Sequence, residues 1–101
     1  MLKVSEVYEK QVRRTEEKPD GSEYASFGRI FDTRDVLLNK DFIVSVRPHH
    51  FTTSGDLQKL DGQFPEGTKF SLLVVDGNSF RSSEIIVVGS FERFCSELES
   101  A

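Results

Sequence analysis

One cysteine, no tryptophan and three prolines in 101 residues each close off a class of explanation. With Cys95 alone no intrachain disulfide can form, so a cystine-stapled exported scaffold is excluded. No apolar run approaches the roughly 20 residues that span a bilayer. The first residues lack a signal-peptide core, because Lys3, Glu6, Glu9 and Lys10 interrupt them. These absences predict a cytoplasmic protein with no membrane partner. Surplus positive charge is missing as well: 13 Lys and Arg against 17 Asp and Glu leave a formal charge of −4. Gripping phosphates needs Lys and Arg to displace counterions, so a net acidic domain would need a segregated basic face. The local basic clusters (Arg13-Arg14, Arg29 and Arg34, Arg47 with His49 and His50) are interleaved with acids and read first as mixed surface. Internal repeats and low-complexity tracts are lacking too.

What is present is enough for one modest core, so residues 1–101 are expected to form a single domain. Residues 2–16 alternate poorly: Val4, Val7, Tyr8 and Val12 suit either a helical stripe or an exposed strand. Lys18-Pro19-Asp20-Gly21-Ser22 is a strong turn signal, and Tyr24, Phe27, Ile30 and Phe31 follow as a β-leaning run. A long polar hairpin over 1–31 is therefore preferred, with an N-terminal helix as the alternative. Asp32-Thr33-Arg34 reads as a break, and Val36-Leu37-Leu38 as a short strand ended by the Asn39-Lys40-Asp41 turn. Phe42 to Arg47 forms a strand with Phe42, Val44 and Val46 on one face, and Pro48 ends it.

From 48 to 69 the pattern disappears into an unusually long loop. Ser54 is a candidate N-cap for a single helical turn carrying Leu57 and Leu60. Phe70 to Val75, a turn at Asp76-Gly77-Asn78, and Ile85 to Val88 then form a hairpin. A two-residue turn in either register puts Leu73, Val75 and Phe80 on one face, continued by Ile86 and Val88 unless Ser82-Ser83 hold a bulge. Both faces are apolar, which implies a hairpin covered on two sides or a small closed barrel. Ser90 caps a last helix over about 90–99, whose Phe91, Phe94, Cys95 and Leu98 form one stripe. The expected fold is α+β: mostly antiparallel, a small sheet or partly closed barrel of five or six strands, with one C-terminal helix packed on it.

Val36 to Val46, then Val74-Val75-Asp76-Gly77 and Val87-Val88-Gly89-Ser90-Phe91-Glu92-Arg93-Phe94, resemble the small flagellar FlbD-like proteins. The likeness covers residues 35–98, around the loop at 48–69, with Gly89 where those proteins carry an acid before the serine. It implies a small β-rich domain of bacterial or phage type that serves as an adaptor, and it carries no catalytic residues.

Chemistry-bearing residues are sparse. His49 and His50 are adjacent, so extended backbone points them to opposite faces and away from a shared metal. Cys95 sits where a core residue belongs, and Asp32, Asp35, Asp41 and Asp76 lie at turns. Neither a catalytic set nor a metal site nor a cofactor is expected. The surfaces that remain are an Arg-aromatic segment, Arg47, His49, His50 and Phe51 with Leu57 beyond, and the sheet edges, where a partner or a second copy could add a strand. The leading expectation is thus a non-catalytic interaction or assembly module, homo-oligomeric or bound to another protein. The alternative is a small nucleic-acid-binding module using Phe27, Arg29, Arg34, Arg47 and Phe51.

Overall fold

A computed structural model describes residues 1–60, 62–76 and 84–99. Strand β1 (Leu2–Glu17) folds back on β2 (Glu23–Leu38) in unbroken register, from Leu2↔Leu38 to Glu17↔Glu23. The turn between them follows from its residues. Pro19 presets its backbone, the Gly21 amide closes on the Lys18 carbonyl at 2.9 Å, and Gly21 takes φ +86°, which costs glycine little. The Asp20 carboxylate accepts from the Ser22 amide and hydroxyl, which lowers its pKa.

The break expected at Asp32-Thr33-Arg34 does not occur. Those charges are cross-strand partners: Arg34 meets Glu6 at 2.7 Å and Lys10 meets Asp32 at 3.7 Å. Val36 to Leu38 is accordingly the end of β2 rather than a separate strand.

A 3-10 turn (Lys40–Phe42), capped by the Asn39 side chain, leads to β3 (Ile43–His49). Helix α1 (Ser54–Leu60), β4 (Phe70–Val75), β5 (Glu84–Val88) and helix α2 (Phe91–Glu99) follow. The five strands form one antiparallel sheet in the order β2-β1-β5-β4-β3, an α+β fold whose sheet is open rather than closed into a barrel.

Two details of β3 differ from expectation. Phe42 lies in the 3-10 turn, and a bulge between Ile43 and Ser45 turns Val44 outward to 70% exposure. Pro48 does not end the strand but stands within it opposite Ser71. It is tolerated because β3 is an edge strand, where a missing N–H can face away from the ladder.

The sheet separates two apolar clusters. On one face Leu2, Val4, Leu38, Leu73 and Val87 close around Phe94 of α2. On the other, Val7, Phe31 and Phe70 are covered by Phe51, Leu60 and Phe64 from the segment that was expected to be a loop. The covering by two sides matches the sequence pattern, but the pairing of sides is reversed. Leu73 pairs with Ile85 and Val74 with Glu84, so an odd number of residues lies between partners where a two-residue turn requires an even number. Ile85 and Val87 therefore share the Leu73 face, and Ile86 and Val88 lie on the other. The turn itself, Phe80 and Ser82-Ser83 lie outside the described residues.

The sheet is curled. Only five Cα steps join Leu38 on one edge strand to Ile43 on the other, at most about 18 Å if fully extended. Four flat inter-strand spacings need about 19 Å, and this link spends three residues on a 3-10 turn. Curling brings Leu38, Ile43 and Val46 into the same cluster around Phe94. Lys40 in the link then donates to the Glu97 carbonyl at 2.9 Å, placing a cation at the negative end of α2.

Candidate functional site

Two features stand apart from this frame: a groove at one end of the sheet and an arm at the other. The groove, of about 510 Å³, lies where β3 ends, β4 begins and α2 starts. Each wall has a local cause. The covering segment folds over the sheet because α1 is capped by Thr53, whose hydroxyl accepts from the Asp56 amide at 3.1 Å; the cap expected at Ser54 is one residue off. Phe51 is thereby pinned between Phe31 and Phe70, with both ring centroids 4.9 Å away, while His49 meets the Phe51 ring edge-on at 4.8 Å. Ser90 caps α2 through the Arg93 amide, placing Phe91 and Glu92 on the opposite wall. Lys69 and Thr68 line the floor beside Phe70.

Of the five residues expected to contact a partner, His49, His50 and Phe51 line this groove. Arg47 lies outside it and pairs with Glu84 at 3.8 Å, and Leu57 is exposed on α1. Phe51 is partly buried and held by three aromatic neighbours. Sequence reasoning missed Lys69 and Phe91. Phe91 was read only as part of the α2 stripe, and the approach of β4 to α2 leaves no local signal.

The arm is the outer part of the β1–β2 hairpin. Among the described residues β1 meets β5 only at Glu6 and Val7, and from Lys10↔Ile30 to the turn the two strands pair only with each other. At about 3.4 Å per residue that is roughly 27 Å of free ribbon. The molecule measures 63 × 31 × 20 Å, and its radius of gyration of 17.1 Å exceeds the ~13 Å of a compact chain this long. No residue between Tyr8 and Ile30 is buried, and Phe27 is 67% exposed.

Charges along the hairpin are matched rather than pooled. Arg34 holds Glu6 and lies over the Tyr8 ring at 4.7 Å, and its pKa is raised by that hydrogen bond and charge. Glu9 accepts from Lys59 of α1 at 2.6 Å and from Arg29 at 3.1 Å, which lowers its pKa. Tyr24 donates to Glu16 at 2.6 Å, which raises its pKa. Phe27, Arg29 and Arg34 thus lie along the arm and its root and Phe51 packs on Phe31 beside that root, whereas Arg47 stands on β3 at the other edge of the sheet. The structure does not gather those five residues into one surface.

Among the described residues, no three of His, Cys, Asp or Glu come together as a metal-binding group. Among them, too, no helix is long and apolar enough to cross a membrane. Cys95 is half-buried in the α2 stripe. Neither a family model nor a curated protein nor a solved structure matches this chain.

Proposed function

We propose that this protein is a non-catalytic assembly module whose projecting hairpin is the arm that contacts another protein, in the first instance a second copy. One observation carries the reading: a long ribbon with exposed Phe27 and Tyr24 extends from the sheet, and no other strand pairs with it among the described residues. A two-stranded hairpin alone is marginal in water, so sixteen-residue strands that outrun their sheet gain support when something packs on them. The FlbD-like resemblance, which covers residues 35–98 and has no counterpart for the N-terminal hairpin, implies an adaptor role for the domain but does not bear on the arm. A bacterial or phage setting and the cytoplasm belong to this reading, supported by that resemblance and by a lone thiol.

The nucleic-acid alternative is less well supported. Arg29, Arg34 and Arg47 each already face a glutamate, and Phe51 is packed among three aromatic neighbours.

Light scattering on the intact chain from about 10 µM to 1 mM, with a benzophenone side chain replacing Phe27, tests the proposal. A mass rising above the monomer, with cross-links formed from position 27, is expected. A strict monomer with no cross-link from the arm overturns it.

A further inference from the structure

We infer that two copies of this chain join edge to edge along β2, antiparallel about a two-fold axis at Ser26, over residues Glu23 to Arg29. This rests on the arm-contact reading and names the surface it uses.

Among the described residues three strand edges have no neighbouring strand, and two of them are guarded. The β3 edge carries a bulge at Ile43/Ser45 and a proline inside the strand, both devices that prevent another strand from adding. The outer edge of β1 along the arm carries Lys10, Arg13 and Arg14 at its centre, so antiparallel pairing with a second β1 sets like charges against each other. The β2 edge is the outermost of the sheet along its whole length. Its stretch Tyr24-Ala25-Ser26-Phe27-Gly28 holds no charge, no proline and no bulge.

That stretch is also complementary to itself. Antiparallel pairing about Ser26 sets Phe27 against Ala25 of the other copy and Tyr24 against Gly28. Each large ring then lies opposite a small residue, with Tyr24 beside Gly28, over which the Arg14 side chain of the same copy also passes. One step further, Arg29 of each copy faces Glu23 of the other. Glu23 gains by this, because within its own hairpin it lies directly opposite Glu17, a destabilising like-charge pair. Arg29 has donors to give: its Nη1 meets Glu9 at 3.1 Å, and a guanidinium carries five N–H groups. The antiparallel sense sends the two bodies to opposite ends of the joined arms, so nothing else needs to move.

Sedimentation equilibrium over about 10 µM to 1 mM reads the association. The intact chain is expected to dimerise weakly, as a short two-strand contact should. Glu23→Arg sets two pairs of cations across the axis and Arg29→Glu two pairs of anions. Each variant alone is expected to dimerise at least tenfold more weakly, with its circular dichroism unchanged. An equimolar mixture of the two variants restores both opposite-charge pairs, as does the double variant, and both are expected to dimerise like the original. If the intact chain dimerises and neither variant weakens it, or if the mixture stays monomeric, the β2 edge is not the interface and this inference is overturned. If the intact chain never leaves the monomer, the self-association reading itself has failed.

Discussion

Gly89 is the residue on which the turn from sheet to helix depends. Its φ of +137° lies where other residues are strained, and a Cβ there would stand 2.8 Å from Cε2 of the fully buried Phe94 ring. Its amide donates to the Lys69 carbonyl and its carbonyl accepts from the buried Ser71 hydroxyl at 2.8 Å, so it also ties β4 to the helix entry. Gly89→Ala is expected to cost about 1–3 kcal/mol from backbone strain alone, a drop of at least about 4 °C in thermal midpoint for a domain of this size. Phe94→Ala should cost about 3–5 kcal/mol, as a core phenylalanine does. If Gly89→Ala in a Phe94→Ala background still costs as much as it does alone, the ring contact contributes nothing. The sequence shows a Gly-Ser helix entry at Gly89, whereas the ring that forbids a side chain is visible only once α2 is packed.

At the scale of elements, the covering segment 50–64 is tied to the hairpin through Glu9, which joins Lys59 of α1 to Arg29 of β2. The folded-state pKa of Glu9 is lowered from 4.5, first by the Lys59 hydrogen bond and then by Arg29. The stability it contributes is therefore fully present above about pH 4.5 and is lost as pH falls through the lowered value. Glu9 is partly exposed, so a Glu9→Gln, Lys59→Met double-mutant cycle should give a coupling of only about 0.2–1 kcal/mol at pH 7. Near pH 2 the coupling should vanish, and a coupling that persists there would show that packing rather than charge joins α1 to β1. Charge-matched joints of this kind explain why this level was half legible. Alternation and turn residues revealed the long hairpin, the two apolar faces of β4 and β5, and α2 with its Ser90 cap. Asp32-Thr33-Arg34 looked like a break because the partners of those charges lie on another strand, and the irregular run after Pro48 looked like a free loop for the same reason. Phe51, Leu60 and Phe64 have no periodicity of their own; they are spaced to meet Phe31 and Phe70, a pattern set by tertiary contact.

For the whole molecule, the sequence indicated the strands of the arm but not that, among the described residues, β1 would meet β5 only at Glu6 and Val7, a restriction that no local motif records. The consequence is a molecule in two tiers of stability. Strands β4 and β5 bury Leu73 and Val87 completely, so their amides should exchange with solvent only on global unfolding. The ribbon from Lys10 to Ile30 buries nothing and should open locally, at a small fraction of that free energy. Hydrogen exchange of the dilute protein is expected to show this division, with a boundary close to the Tyr8↔Asp32 pair, beyond which β1 has no β5 neighbour among the described residues. Raising the protein concentration should then slow exchange in Glu23–Arg29 while leaving β3 unchanged, because the bulge and Pro48 keep that edge from pairing. Slowing confined to His49–Phe51 and Lys69 would instead mean that the groove, and not the arm, is where copies meet.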